Sequence, residues 1–230
     1  MILNLTSGSV SREGAPLLTR SDHRSGPAKH PPHFPTHRGR RTQAAIDNAA
    51  RTVIARKGIL ATTIADIAAE AGRSAASFYN YYDSKEAMVR QWAMRFRDEA
   101  NERAASVTRH GMSDRERAYE AAAAHWQTYR HRLAEIISVS QLAMVNEDFA
   151  EYWAQMCAIP ISFIAETVRR AQAEGHCADD DPDLIAEAIV AMFNQFCYIQ
   201  LSGGKEPDDQ ACIRTLANIY YRAIFGGSLN

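Results

Sequence analysis

The stretch that decides the fold covers residues 62–86 and reads TTIADIAAEAGRSAASFYNYYDSKE. Within it, apolar residues recur at helical spacing in two short segments, Ile64–Ala71 and Ala75–Tyr81. A turn that contains Gly72 separates the two segments, and Ser74 is placed to cap the second. Two short helices joined by such a turn have the dimensions of a helix-turn-helix, which predicts a DNA-binding motif.

The second of these predicted helices is expected to present one side to a partner. Phe78 and Tyr82 are four residues apart and are expected to pack inward. On the other side, small side chains let the backbone approach a DNA groove, Asn and Ser read base edges, and hydroxyl or amine groups bond phosphates. The DNA-contacting residues predicted in this stretch are Thr62, Thr63, Arg73, Ser74, Ala75, Ala76, Ser77, Tyr79, Asn80, Tyr81 and Lys85.

Residues 41–90 resemble the DNA-binding domain of the TetR family. The shared features of the quoted stretch are a Thr before an Ile-Ala pair, an Ala-Gly turn, a capping Ser, a Tyr-x-x-aromatic pattern and a Ser-Lys-Glu triplet. The preceding helix matches through Ile46, Ala49, Ala50 and Gly58. Three positions depart from the residues that the family often has: Ala76 for Gly, Arg73 for Val and Tyr81 for His. Because Arg73 adds a cationic group at the turn, the operator sequence is left open.

This resemblance implies an all-α protein with an N-terminal three-helix helix-turn-helix domain and a larger helical ligand-binding and dimerisation domain. It also implies a homodimeric transcriptional repressor that binds double-stranded DNA at a palindromic operator and is released by a small apolar effector. The predicted division is a disordered tail (1–37), a DNA-binding domain (38–90) and a ligand-binding and dimerisation domain (91–230). The C-terminal half loosely resembles actinobacterial members of the ethionamide-resistance-repressor type, through residues 38–42 and 151–153.

The tail that precedes the first helix is basic. Five of the eight prolines fall in this tail, which shows neither a helical nor a strand period, so disorder is the expectation. Residues 1–41 hold seven Arg or Lys against two Asp or Glu, whereas residues 91–230 hold thirteen against twenty. Two interpretations of Arg38, Arg40 and Arg41 are open: they lie along phosphates or enter a minor groove, or they belong to a solvated tail.

The rest of the chain is predicted to be helical as well, since no strand pattern is present. The first helix is predicted from about Arg41 to Lys57, and Gly58 ends it. Capping-box patterns, Asp83 with Glu86 and Ser113 with Glu116, predict two further helix starts. The remaining helical segments are predicted at about 83–109, 113–129, 132–142, 148–174, 181–203 and 208–225.

The last two predicted helices are apolar over a wider arc than one core-facing stripe requires. This excess favours a four-helix interface between two copies of the chain, while deep burial within one subunit is the alternative. The predicted dimer-interface residues are Ile185, Ile189, Phe193, Ile213, Leu216 and Tyr220.

Large apolar residues on neighbouring predicted helices accompany Pro160, which removes one backbone donor and bends its helix. A bent helix beside aromatic residues favours a cavity wall, although large side chains at helical spacing also fill cores. The predicted ligand-binding residues are Trp126, Trp153, Met156, Phe163, Phe193 and Phe196.

Two other classes of function are alternatives. A helical DNA-binding regulator controlled by a protein partner, or by no ligand, is expected to have a filled core instead of a cavity. A metal-dependent enzyme is the other, but His176 and Cys177 beside Asp179–Asp181 fit no known ligand spacing. We therefore predict no enzymatic activity, no catalytic residue, no metal site and no cofactor.

Two further features predict a cytoplasmic protein without a membrane partner. The four cysteines form no CxxC pair and are typical of small buried residues in a reducing compartment. The first ten residues lack the basic start of a secretion signal. The most apolar stretch, Leu184–Leu201, contains Glu187, Asn194 and Gln195, which indicates a core helix and not a membrane span.

Overall fold

The computed structural model describes residues 37–104, 111–177 and 180–226, so the predicted tail before His37 lies outside the described residues. Within these ranges all regular structure is helical, which confirms the all-α class. The helices described are α1 (His37–Lys57), α2 (Ile64–Glu70), α3 (Ala75–Tyr79), α4 (Lys85–Ala104), α5 (Asp114–Ala143), α6 (Glu147–Ala173), α7 (Pro182–Ser202) and α8 (Asp209–Phe225).

Polar side chains at the helix starts explain where several of the helices begin. Ser113 Oγ accepts a hydrogen bond from the backbone N–H of Glu116 at 3.3 Å, and Glu116 in turn accepts from the backbone N–H of Ser113 at 2.8 Å. The capping box predicted at the start of α5 is thus confirmed. Before α4 the capping group is Ser84, whose Oγ accepts from the Ala87 N–H at 3.0 Å, and not the predicted Asp83.

Two helices differ from the sequence prediction. α1 begins at His37 instead of Arg41, so the basic residues Arg38 and Arg40 lie within the helix. α5 continues through the break predicted between residues 129 and 132, where only Arg132 leaves the helical conformation (φ −130°, ψ 24°). One non-helical residue redirects a helix axis without a loop, and α5 is therefore one kinked helix. Pro160 lies inside α6, as predicted.

The buried side chains form two clusters. The head core joins α1–α4 to the second half of α5 and the start of α6, and consists of Ile46, Ala49, Ala50, Ile54, Ile59, Ile67, Phe78, Tyr82, Met88, Val89, Trp92, Ala93, Ala134, Ile137, Val139, Leu142 and Phe149. The body core joins the first half of α5 to α6, α7 and α8, and consists of Ala118, Ala122, Trp126, Tyr129, Ile136, Ile164, Ala165, Val168, Ala171, Ala186, Ile189, Val190, Phe193, Cys197, Cys212, Ile213, Leu216, Ala217, Tyr220 and Ile224. Leu133, Trp153 and Met156 are half-buried and pack against both clusters, so α5 and α6 connect the two ends of the fold.

Within the described part of the chain, α7 is the helix long and apolar enough to cross a membrane by length and composition. The core helix of a globular protein passes the same test. α7 buries Ala186, Phe193 and Cys197 in the body core and packs on α5 and α6, which fits the predicted core helix.

Candidate DNA-binding interface

α2, the turn after it and α3 form the predicted helix-turn-helix. Thr63 begins α2: its Oγ1 accepts from the Asp66 N–H at 3.1 Å, and Asp66 Oδ2 accepts from the Thr63 N–H at 2.8 Å. Lys57 donates to the same carboxylate oxygen at 2.6 Å, and this bond, with those from Thr63, holds the pKa of Asp66 well below its usual value. Gly72, at φ +60°, makes the turn, and the hydroxyl of Ser74 caps α3.

α3 turns one side to solvent and the other into the head core. Phe78 is completely buried and Tyr82 is 2% exposed, which confirms their predicted inward packing. Tyr79, by contrast, is 56% exposed. The predicted contact residues that are exposed on this motif are Thr63, Arg73, Ser74, Ala75, Ala76, Tyr79 and Asn80, and the half-buried ones are Ser77, Tyr81 and Lys85. The outward side of α3 is therefore small and polar, with one large aromatic residue.

A buried carboxylate on α1 fixes the end of this motif. The hydroxyl of Tyr82 donates to Asp47 Oδ1 at 2.6 Å and accepts from Gln43 Nε2 at 3.1 Å. Trp92 Nε1 of α4 donates to the same Asp47 oxygen at 3.4 Å. Burial of the phenol, together with its bond to Asp47, raises the pKa of Tyr82 to about 12, so the hydroxyl stays a donor. Asp47 thereby connects the C-terminal end of the motif to α1 and α4.

The loop between α1 and α2 is held by Lys85 at the start of α4. Its Nζ donates to the carbonyl oxygens of Ile59 and Thr62, both at 2.8 Å, and to that of Leu60 at 3.4 Å. Thr62 itself is buried, and its hydroxyl donates to the carbonyl of Gly58 at 2.6 Å. The phosphate contact predicted for the Thr62 side chain is therefore wrong, because the hydroxyl points inward. The contact predicted for Lys85 stays a prediction, and its ammonium has structural partners that the sequence did not indicate.

α5 holds the same loop from the other side. Gln141 Oε1 accepts from the Ile59 N–H at 3.0 Å. Gly58 adopts φ +76°, and a Cβ there would lie 2.7 Å from that Gln141 oxygen, so only glycine fits. Further along α5, Glu135 is 4% exposed and accepts from Arg51 Nε of α1 at 2.8 Å. The second half of α5 is thus joined to the DNA-binding motif by direct polar contacts.

Sequence reasoning did not single out Asp47, Glu135 or Gln141. One feature of the sequence could have identified Asp47 and Glu135. Each is a carboxylate that lies directly beside apolar residues on a helix face that becomes buried. A buried carboxylate needs partners, and here those partners come from other helices. Gln141 carries no such local signal, since its role depends on the path of a loop that is 82 residues distant in sequence.

Arg38, Arg40 and Arg41 lie exposed on the first turns of α1. The interpretation of these residues as part of a solvated tail is therefore wrong as a conformation, because they are helical. Their contact with DNA stays a prediction.

The predicted dimer-interface residues lie inside the protomer. Ile189, Phe193, Ile213, Leu216 and Tyr220 are each at most 4% exposed, and Ile185 is half-buried. For the five buried residues the assignment to an interface was wrong, because the inner part of the apolar arc is already covered by α5 and α6. A contact through Ile185 stays a prediction. The part left exposed, here termed the outer face, comprises Leu184, Ala188, Ala191 and Ile199 of α7 and Thr215, Ile219 and Ala223 of α8.

The predicted ligand-binding residues lie on α5, α6 and α7 but differ in burial. Trp126 and Phe193 belong to the body core, and Trp126 Nε1 donates to Asp209 Oδ1 at 3.0 Å. The others, Trp153, Met156, Phe163 and Phe196, are half-buried. α6 has no buried residue between Phe149 and Ile164, the stretch that contains Pro160. This part of α6 is therefore less tightly packed than the part that follows.

The arrangement of α1–α3, with a capped second helix, a glycine turn and an outward α3, defines a helix-turn-helix DNA-binding protein. Residues 46–91 match the family model for bacterial regulatory proteins of the tetR family. The HTH-type transcriptional repressor KstR2 of Rhodococcus jostii (strain RHA1) is 30% identical over 50% of this chain. The match spans 62% of that repressor, which is less than two thirds of its length. Over residues 46–91 the chain therefore carries a DNA-binding domain of the tetR family.

Solved structures share the fold across most of the chain. A TetR-like transcriptional regulator from Rhodococcus sp. RHA1 covers 80% of this chain and 96% of its own, with a TM-score of 0.62 and 22% identity. The transcriptional regulator FadR from Bacillus subtilis, in complex with stearoyl-CoA, covers 81% of this chain and 100% of its own, with a TM-score of 0.55 and 15% identity. At these identities the likeness concerns the fold alone.

Proposed function

We propose that this protein is a cytoplasmic transcriptional repressor that binds a palindromic operator as a homodimer and is released by a small apolar ligand. The observation that carries the proposal is the solvent-facing side of α3, where Ala75, Ala76, Tyr79 and Asn80 are exposed. Alanines admit the backbone to a major groove, Asn is suited to the edge of adenine, and a tyrosine hydroxyl is suited to a phosphate. The protein acts by binding and not by catalysis.

We assign phosphate contacts to the exposed arginines Arg38, Arg40 and Arg41 and to the turn residue Arg73. Each neutralised phosphate releases counterions, so every such contact steepens the salt dependence of operator binding. The functional division at residue 90 falls inside α4 (Lys85–Ala104), and we propose that this helix serves both the DNA-binding and the ligand-binding domain.

The outer face is the surface that we assign to the second copy of the chain. On α7, Leu184, Ala188 and Ala191 follow the i, i+4 and i+3 spacing of a helix seam, which Gln195 and Ile199 continue in steps of four. Leu184 and Ile199, at the two ends, are 64% and 54% exposed. Large apolar side chains at that exposure favour association. A two-fold dimer places its recognition helices in successive major grooves about 34–36 Å apart, or a multiple of that distance, on a palindrome.

The route from ligand to DNA runs through α5 and α6. Trp153 and Met156 pack against both cores, so a ligand that repositions α6 changes contacts in the head core as well. The second half of α5 holds α1 through Glu135 and the α1–α2 loop through Gln141. A ligand shifts this equilibrium only by its differential affinity for the two arrangements, and a coupling of about 1–3 kcal/mol changes operator affinity roughly 5–150-fold.

The DNA-binding part is tested by selecting operator fragments from random DNA and measuring affinity by fluorescence anisotropy. We expect a palindromic consensus, and we expect Tyr79→Ala to weaken binding about tenfold on all sequences. Met144→Ala, an 81% exposed side chain on the turn after α5, is the matched control and leaves affinity unchanged. A Tyr79→Ala protein that binds the selected operator as tightly as the wild type contradicts the placement of α3.

The ligand-dependent part is tested by adding apolar small molecules that raise the melting temperature of the free protein. Such a ligand is expected to lower operator affinity in the wild type, and to do so less in Trp153→Ala. A stabilising ligand that leaves operator affinity unchanged contradicts the coupling and favours a regulator controlled in another way.

A further inference from the structure

A polar cluster lies among the apolar residues of the body core. His125 of α5 stacks on Tyr129, with ring centroids 5.2 Å apart, and meets the edge of Phe193 at 5.3 Å. Asn194 of α7 donates from Nδ2 to the Sγ of Cys157 on α6 at 3.8 Å, and its carboxamide lies close enough to the His125 ring to offset part of the effect of burial on the pKa of that ring. Three helices thus bring polar groups together at one point.

One atom of this cluster lacks a partner. Nε2 of His125 is buried, yet it has no hydrogen bond. A neutral imidazole carries its proton on one ring nitrogen and a lone pair on the other. Nε2 therefore lacks a donor in one tautomer and an acceptor in the other, and a hydroxyl group can supply the missing partner in either case.

The groups that face His125 among the described residues carry no charge at neutral pH. Burial lowers the pKa of His125 to about 4, against a smaller opposing effect of Asn194. Burial also raises the pKa values of the Tyr129 hydroxyl and the Cys157 thiol, so both keep their protons. An anionic group placed here would lose its hydration without gaining a counter-charge, which is costly.

The cluster adjoins the loosely packed part of α6. Cys157 lies three residues before Pro160, in the stretch from which α6 buries no side chain. His125 and Asn194 are themselves half-buried although their helix neighbours Trp126 and Phe193 are buried. The accessible surface that remains on these side chains gives a bound molecule something to contact.

We propose that His125, Asn194 and Cys157 form the polar end of the effector site and select an uncharged ligand that presents a hydroxyl to Nε2 of His125. This inference rests on the proposed ligand-dependent function and narrows the class of effector to apolar molecules with a neutral hydroxyl group. The hydroxyl of the ligand supplies the hydrogen bond that Nε2 of His125 lacks.

Three naphthalene probes of similar size test the proposal by isothermal titration calorimetry on the full chain. 1-Naphthol offers a hydroxyl, 1-methoxynaphthalene lacks the donor, and 1-naphthoate is an anion. We expect 1-naphthol to bind about tenfold more tightly than 1-methoxynaphthalene, and 1-naphthoate to bind more weakly than either. In His125→Leu the advantage of 1-naphthol is expected to disappear, whereas His131→Leu, an exposed histidine on the same helix, retains it.

A second measurement needs no variant. In protein with ¹⁵N-labelled histidine, the Nε2 resonance of His125 is expected to shift with 1-naphthol but not with 1-methoxynaphthalene. Equal affinity for the two probes, no binding of any probe, an unmoved Nε2 resonance or tight 1-naphthol binding by His125→Leu would each overturn the proposal. The affinity of the probe-free protein for its operator does not depend on these results. A wild-type protein that binds no operator contradicts the proposed function, whereas the results above concern the effector site.

Discussion

At the scale of single residues, the hydroxyl of Tyr82 holds the end of the helix-turn-helix against α1. Removing it in Tyr82→Phe leaves the buried Asp47 carboxylate with its 3.4 Å bond from Trp92 and without the 2.6 Å bond. We expect the free energy of unfolding to fall by about 1–3 kcal/mol, measured by urea denaturation. Tyr79→Phe, at an exposed tyrosine, is the control and is expected to leave the free energy of unfolding unchanged. Equal stability of the two variants would contradict a structural role for the Tyr82–Asp47 bond.

His125 gives a second prediction at this scale, a dependence of stability on pH. Its pKa is about 4 in the folded chain and near 6.5 in the unfolded chain. Between these values the unfolded chain binds a proton that the folded chain does not, so stability is complete above pH 6.5 and falls as the pH drops toward 4. The loss amounts to at most about 3 kcal/mol. Between pH 4 and 7.5 the urea midpoint is expected to depend less on pH in His125→Phe than in the wild type, and as much as in the wild type in His131→Phe. An unchanged pH dependence in His125→Phe would contradict burial of this ring.

At the scale of helices, α5 is the element that joins the two cores. Gln141→Leu keeps the size of the side chain but leaves the N–H of Ile59 without its acceptor. We expect a loss of about 1–3 kcal/mol in the free energy of unfolding, together with faster hydrogen exchange in the α1–α2 loop. Gln127→Leu, at an exposed position of the same helix, is the control. Unchanged exchange in the loop of Gln141→Leu would show that α5 does not hold it.

The elements also show how far the sequence alone leads. α2 and α3 were predictable because their caps, glycine turn and inward aromatic residues are all local signals. The kink at Arg132 was not predictable, because it depends on how the helices around α5 pack and not on the residues next to Arg132 in sequence. The division of the apolar arc of α7 and α8 into a core side and the outer face likewise depends on which helices cover it. For the same reason the sequence could predict which side of α3 is exposed, but it could not show that the hydroxyl of Thr62, before α2, points inward.

At the scale of the whole molecule, the outer face predicts how two copies associate. A charge at Ile199, which is 54% exposed in the protomer, costs little in the folded monomer but is unpaired and desolvated in a dimer. Ile199→Glu is therefore expected to sediment as a folded monomer with unchanged helicity and weakened operator binding. Met144→Glu, at a more exposed apolar position elsewhere (81%), is expected to stay dimeric. A dimeric Ile199→Glu protein would place the interface elsewhere.

The shortness of α3 has a consequence for how the proposed DNA specificity of this protein can diverge. Five residues are too few for a helix to persist in water, so α3 owes its order to Phe78 and to Tyr82, which follows it, and not to its outward side chains. Selection can therefore replace Ala75, Ala76, Tyr79 and Asn80 almost independently of folding, while the two inward aromatic residues stay under constraint. A gene duplicate that keeps Phe78 and Tyr82 acquires a new operator through a handful of surface substitutions, without an intermediate that fails to fold.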